Sequence, residues 1–190
     1  MKPTIALIVA ASTGTNIIGN GPDIPWPRLG EDLKNLRDLT TPHPIIVGRK
    51  TYETFRNREG DRINLPNRLN IVVTRDTDYI PLPGAVVVNS FEDALELAKE
   101  AQPEKIWICG GGEIYRQALG FLPDGSHDAN KCIVDEIYFT EVFYEAEGDV
   151  TFPDLPKGLF TAGPVATRKL VQKVKGGSDV SYHITHYVRT

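Results

Sequence analysis

Asp32 is the side chain whose setting first points to chemistry. On a helical wheel, Leu29, Leu36 and Leu39 gather within about 80° of arc, and Asp32 falls between Leu39 and Leu36. Glu31, Lys34 and Asp38 take the opposite, solvated side. A carboxylate on the apolar arc is costly to desolvate unless something hydrogen-bonds it. Two roles stay open: partner to a buried group, or polar anchor at the floor of a ligand cleft. A second feature is Ile108-Cys109-Gly110-Gly111-Gly112-Glu113-Ile114-Tyr115, an apolar run into glycines and a helix start. Bare backbone at a helix N-terminus suits a pyrophosphate, because free N–H groups and the dipole both favour an anion. The spacing is not that of the dinucleotide fingerprint, and a tight strand-to-helix turn uses glycines too. Val47-Gly48-Arg49-Lys50-Thr51 and Val73-Thr74-Arg75 place basic and hydroxyl groups at carboxyl ends of strands, where α/β sheets take up phosphates. For any single arginine there, ordinary surface charge is the simpler account.

These groups need a scaffold to bring them together. Thr4 to Ala11, Pro44 to Gly48, Asn70 to Thr74, Ala85 to Val88 and Lys105 to Cys109 are short runs rich in Val and Ile that read as buried strands. Helical patterns fall between them at Gly30 to Thr40, Lys50 to Phe55, Ser90 to Ala101 and Glu113 to Leu119. Ser90 stands at an N-cap position with Asp93 three residues on, a weaker relative of the capping box. The alternation predicts an α/β sandwich with a mainly parallel sheet and right-handed crossovers. Further on, Asp135 to Tyr144 is one long strand pattern, and Val165 to Lys175 and Val180 to Arg189 flank Gly176-Gly177 as an antiparallel hairpin. The polar stretch from Leu119 to Cys132 has turn chemistry and no periodicity, so an exposed insertion is expected.

The 190 residues, 41% of them apolar, are enough for one core and few for two, so a single domain over 1–190 is expected. With 21 Lys and Arg against 25 Asp and Glu the net charge is −4, which argues against a nucleic-acid partner. The longest apolar run, Ile5 to Ala11, is far below a membrane span, and no signal peptide is read. Cys109 and Cys132 are not at metal spacing, and a reduced, cytoplasmic protein is the expectation. His43, His127, His183 and His186 lack companions at ligand spacing, so no metal is assigned. No Gly-x-Ser-x-Gly nucleophile elbow is present.

An ordered series of motifs covers nearly the whole chain: Ile8-Val9-Ala10-Ala11, Ile18-Gly19, Ile24-Pro25-Trp26, Asp32, Val47-Gly48-Arg49-Lys50-Thr51, Leu65-Pro66-Asn67-Arg68-Leu69-Asn70, Gly110-Gly111-Gly112-Glu113-Ile114-Tyr115 and Glu147-Gly148-Asp149-Val150-Thr151-Phe152-Pro153. In that order they resemble dihydrofolate reductase. The resemblance implies a sandwich with a central sheet of about eight strands, mainly parallel, helices on both faces and a C-terminal antiparallel hairpin. It implies reduction of 7,8-dihydrofolate by NADPH, with antifolates as inhibitors; no apolar surface stripe demands a dimer, so a monomer is expected.

Carried onto matching positions, it implies that Asp32 and Thr140 hold the pterin edge. Backbone at Ile8, Val9 and Cys109 would line the reacting rings, with Tyr115 beside them. Leu33, Leu36, Phe55 and Leu65 would wall the aromatic part of folate, and Arg68 would pair with the glutamate α-carboxylate. Ala10, Ile18 and Gly19 would face the nicotinamide. Gly48, Arg49, Lys50, Thr51, Thr74, Arg75 and the segment Gly110 to Tyr115 would hold the rest of NADPH, with Thr74 and Arg75 nearest the 2′-phosphate. In the family the Gly110-Gly111 bond is cis. The Gly- and Asn-bearing loop from Ser12 to Ile24 reads as a lid, latched by Asp149 accepting from backbone N–H groups of Asn16 to Gly19. Three departures stand out: Leu36 replaces a usual Phe, Cys109 replaces Ile or Val, and the 119–132 stretch is longer than in compact bacterial members. A pyrimidine reductase of riboflavin synthesis shares fold and cofactor, but Pro25-Trp26 and Asp32 favour folate. A non-catalytic NADPH-binding module is disfavoured by the presence of Asp32, Arg68 and Thr140.

Overall fold

The computed structural model describes residues 2–57, 59–163 and 167–190. Eight of its strands lie side by side in the order β10-β11-β7-β1-β6-β3-β4-β5. These are β1 (Thr4–Ser12), β3 (Ile45–Gly48), β4 (Asn70–Val73), β5 (Ala85–Val88), β6 (Lys105–Ile108), β7 (Glu136–Phe143), β10 (Arg168–Gln172) and β11 (Val180–Arg189). A ninth, β9 (Phe160–Ala162), joins antiparallel to the far end of β11. From β7 to β5 every pairing is parallel, and β11 pairs antiparallel with both β7 and β10. The expected mainly parallel sheet closed by a hairpin is present. Two residues expected in the hairpin's first strand, Val165 and Ala166, lie outside the described residues.

Period-two alternation divides the sheet's side chains between two layers. Ile5, Leu7, Val9 and Ala11 point to one face with Ile46, Ile71, Ile106 and Ile108. There they pack on α3 (Phe91–Glu100) and α4 (Gly112–Leu119) through Phe91, Ala94, Ala98, Ile114, Tyr115, Ala118 and Leu119. Ala6, Ile8, Ile45, Val47, Val72, Trp107 and Cys109 point to the other face, against Leu36 and Leu39 of α1 (Gly30–Thr40) and against Tyr52 of the short α2 (Arg49–Tyr52). Ser90 caps α3 as its position predicts, its Oγ accepting from the Asp93 N–H at 3.0 Å.

Three short strands have no counterpart in the sequence pattern: β2 (Ile17–Gly19), β8 (Val150–Thr151) and β9. Each has two or three residues, too few for a periodic signal. β2 and β8 form a separate antiparallel ribbon whose register shifts between Ile17 and Gly19. The 119–132 stretch is exposed at its tip, but Leu119, Gly120 and Cys132 are buried and a 3-10 turn spans Ala129–Lys131. Gly120 is needed there: at φ 87° it ends α4, and a Cβ would lie 2.5 Å from the Asp128 carbonyl oxygen. No described helix is long and apolar enough to cross a membrane.

Candidate active site

The carboxyl ends of β1, β3, β4 and β6 share one edge of the sheet, and α1 lies across the face beside them. In α/β sheets that edge is where ligands bind. α1 bridges two apolar clusters: Leu36 and Leu39 pack against Ile8, Trp107 and Cys109, whereas Leu29 packs with Trp26, Val142, Tyr182 and Ile184. Asp32 falls at the seam between them. Its Oδ1 accepts a hydrogen bond of 2.5 Å from Thr140 Oγ1, a residue only 1% exposed on β7. Thr140 is the only donor to this carboxylate among the described residues. Burial holds the Asp32 carboxyl above its ordinary range, and the bond from Thr140 opposes that shift. The site therefore pairs a poorly solvated carboxylate with one fixed donor, leaving lone pairs for a ligand that brings N–H groups.

Ile8, Leu36, Phe55, Leu65 and Cys109 belong to one apolar cluster beside this carboxylate, and Leu33 is half-buried on α1. Tyr115 reaches through the sheet from α4 and donates to the Ile8 carbonyl at 2.7 Å. Its phenol is pushed well up by burial, and then by Cys109 and Asp32, which puts all three in one neighbourhood. Burial raises the Cys109 thiol to about 12 despite Arg68 nearby, so it stays a neutral thiol. Strand alternation turns the side chain of one expected site residue, Val9, away from the site and into the α3/α4 layer. Ile114 is likewise packed into that layer.

Arg68 is half-buried, its pKa lowered first by that burial. Its Nε donates to the Pro66 carbonyl at 2.9 Å and Nη1 donates to Thr40 Oγ1. Thr40 in turn donates to the Leu36 carbonyl at 2.7 Å. Asn70 holds the turn that carries Arg68, accepting from the Leu65 N–H and donating to the Leu65 and Arg68 carbonyls, each at 2.9 Å. Residue type and spacing give no sign of these roles for Thr40 and Asn70. Their signal is that both are polar yet at most 1% exposed, which only the packed chain reveals.

The glycine segment forms the other half. Gly110-Gly111 is a cis peptide, and the Gly48 N–H donates to the Gly110 carbonyl at 2.6 Å, tying β3 to the start of α4. A Cβ on Gly111 would lie 2.7 Å from Thr51 Oγ1, so the two junctions meet only because no side chain separates them. The first-turn N–H groups of α4, on Gly112, Glu113 and Ile114, have no acceptor within the helix. Lys50 and Arg75 are exposed, and neither forms an ion pair among the described residues. Arg49 is partly engaged, 3.4 Å from Glu53 and 5.6 Å above the Tyr79 ring. Thr74 is buried, its Oγ1 accepting from the Asp76 N–H at 3.1 Å, which leaves the hydroxyl proton to donate. Free backbone donors, two unpaired cations and a hydroxyl on one edge fit a dinucleotide phosphate.

The loop expected as a lid approaches the start of α4: a Cβ on Gly112 would lie 4.0 Å from Ile18 Cδ1. Ile18 packs on the α3/α4 layer, Ala10 packs with the Trp26 cluster, and Gly19 lies against Val150 of β8. Asp149 does bond to the loop that was expected to be a lid, but at a different backbone position from the one expected. Its carboxylate accepts from the Gly21 N–H at 3.0 Å, while its own N–H donates to the Gly19 carbonyl at 3.1 Å. Pairing of β2 with β8 occupies the backbone that was expected to reach the carboxylate, and moves that contact past β2. Among the described residues no group of three His, Cys, Asp or Glu side chains is placed to hold a metal.

Residues 4–189 match the family model described as dihydrofolate reductase. The chain is 33% identical over 180 residues to the type 1 dihydrofolate reductase of Escherichia coli, covering 95% of this chain and 96% of that protein. It is 31% identical over 171 residues to the dihydrofolate reductase of Bacillus subtilis, covering 90% and 84%, and 36% identical over 134 residues to that of Mycobacterium tuberculosis, covering 70% and 72%. The chain belongs to the dihydrofolate reductase family. Its reaction is the reduction of dihydrofolate to tetrahydrofolate with NADPH as hydride donor.

The raised Asp32 pKa makes a stability prediction for the ligand-free enzyme. Because the folded value lies above the unfolded one, this group's stabilising share is complete below the unfolded pKa and is lost as pH rises through the folded pKa. Asp32→Asn removes the ionisation and keeps the shape. The variant should melt above wild type at neutral pH, and the gap should close as pH falls toward about 4, the ordinary carboxyl range. Thermal melts across that range check it; a variant that melts lower at neutral pH contradicts the desolvation account.

Proposed function

We propose that residues 1–190 form one catalytic domain in which Asp32 and Thr140 hold the pterin of dihydrofolate by its N3 and 2-amino edge. The observation that carries this is the poorly solvated Asp32 carboxylate with a single protein donor, set beside an apolar wall. Its remaining lone pairs match two parallel N–H groups on a planar ring. The backbone at Ile8 and Cys109 lines the ring plane, and Tyr115 fixes the Ile8 carbonyl. Leu33, Leu36, Phe55 and Leu65 cover the aromatic spacer, and Leu36 offers dispersion contact where a phenyl ring would stack. Arg68, steadied by Thr40 and the Pro66 carbonyl, faces the glutamate tail.

NADPH, when bound, supplies a hydride from nicotinamide C4. Gly112, Glu113 and Ile114 direct backbone N–H groups toward its pyrophosphate. Arg49 and Lys50 would flank that charge, and Thr74 and Arg75 would lie nearest the 2′-phosphate. Ala10, Ile18 and Gly19 face the carboxamide. Asp32 acts on the pterin by orientation and by its charge, which favours protonation at N5 by water, and the lid keeps other water out. The two free, buried cysteines and the mild acidity support a cytoplasmic protein, and the charge balance supports small-molecule partners with no nucleic acid. We read it as a monomer.

Loss of NADPH absorbance on adding dihydrofolate tests the activity. Asp32→Asn should fold and bind NADPH, yet turn over about 10²- to 10⁴-fold more slowly at neutral pH, with the deficit shrinking as acid protonates the substrate directly. Near-normal turnover would reduce Asp32 to a structural carboxylate. Arg75→Ala should weaken NADPH by about tenfold and leave NADH almost unchanged; equal losses would show the arginine to be structural. Arg68→Leu should raise KM for dihydrofolate while inhibitors lacking a tail carboxylate bind as before, and parallel losses would remove the tail assignment.

A further inference from the structure

The lid is held at two places, and Asp149 accounts for one. At the other, Asn16 is fixed by three contacts. Its N–H donates to the Ser12 carbonyl at 3.0 Å, its carbonyl accepts from the Phe152 N–H at 2.8 Å, and its Nδ2 donates to Asp154 Oδ1 at 2.8 Å. The residue has φ 52°, a left-handed conformation that Asn tolerates better than most. Asp154 stands on a firm base. Leu155 and Leu159 behind it pack on the main core, and Thr190 donates to the Gly158 and Leu159 carbonyls. Arg189 next to it donates to the carbonyls of Ala129 and Cys132. The C-terminal end of β11 therefore anchors the segment that carries Asp154.

We propose that Asn16 and Asp154 are a positioning pair for the reaction, tethering the N-terminal end of β2 to the body of the protein while Asp149 holds its C-terminal end through Gly21. β2 is then suspended between two anchors, and its Ile18 and Gly19 are set at the nicotinamide side of the cleft; this rests on the reading of that edge as the NADPH site. The bond is exposed, so it adds little to global unfolding stability. It acts on a local equilibrium instead, because lid opening breaks it while the core stays packed.

The test uses the full chain saturated with NADPH and a single turnover of dihydrofolate. Asn16→Gly keeps the left-handed backbone and removes the side chain, and Asp154→Ala removes the acceptor. Each should slow hydride transfer about three- to tenfold at an unchanged melting temperature, and the double variant should be no slower than either single one. Asn16→Asp sets two carboxylates against each other and should be slow as well. Adding Asp154→Asn to it exchanges donor and acceptor and should restore the rate. Single-variant losses that multiply in the double variant, or a charge exchange that fails to rescue, would overturn the pair. Wild-type turnover, measured first, separates that failure from a failure of the functional reading.

Discussion

The arrangement of the site depends on one desolvated charge. Asp32 belongs to a helix that lies over a sheet, and its carboxylate meets that sheet at Thr140, a buried hydroxyl on β7. A hydrogen bond from one neutral hydroxyl does not replace the water a carboxylate loses, and the raised pKa is the trace of that imbalance. A fold selected for stability alone would place an apolar or amide side chain here. The remaining lone pairs of Asp32 are open to further N–H or O–H donors.

The neighbouring groups are arranged to keep that imbalance in place. Leu36 and Leu39 of α1 pack in one apolar cluster, and Leu29, the residue before the helix, packs in another, so both flanks of Asp32 are tied to apolar packing. Tyr115 crosses from the opposite layer to hold the Ile8 carbonyl, and the neutral Cys109 thiol adds no competing charge. Where β3 and β4 meet the start of α4 the pattern reverses. Backbone N–H groups at the start of α4 have no acceptor within the helix, and Lys50 and Arg75 are exposed with no ion pair among the described residues, so water solvates these charges at little cost. One half of the site is therefore largely apolar and the other largely polar.

The β2–β8 ribbon lies next to the start of α4, close enough that a Cβ on Gly112 would lie 3.1 Å from the Thr151 carbonyl oxygen. The ribbon's few backbone bonds are supplemented at both ends by side chains from the segment around β8, Asp149 to Gly21 and Asp154 to Asn16.

Much of this is legible in the residues themselves. The Val- and Ile-rich runs and the 3.6-residue pattern of α1 are local, since burial on both faces of a strand or one face of a helix leaves a direct mark on residue type. α1 and β11 have the bounds expected from the chain, and Ser90 caps the helix it is expected to cap. Asp32 is conspicuous because charge on an apolar arc is locally anomalous. What it bonds to is not: without the family resemblance, nothing at position 140 distinguishes its threonine, 108 residues away, from any other strand threonine. The same holds for Thr40 and Asn70, whose roles come from side-chain bonds to Arg68 and to the turn that carries it. Strands of two or three residues leave no periodicity, so β2, β8 and β9 take shape only through their partners, and that pairing redirects the Asp149 latch to Gly21. Sequence determined which segments could be strand or helix and where a charge would be out of place; contacts between distant segments decided what that charge meets, because a hydrogen bond is set by distance and angle and the chain order records neither.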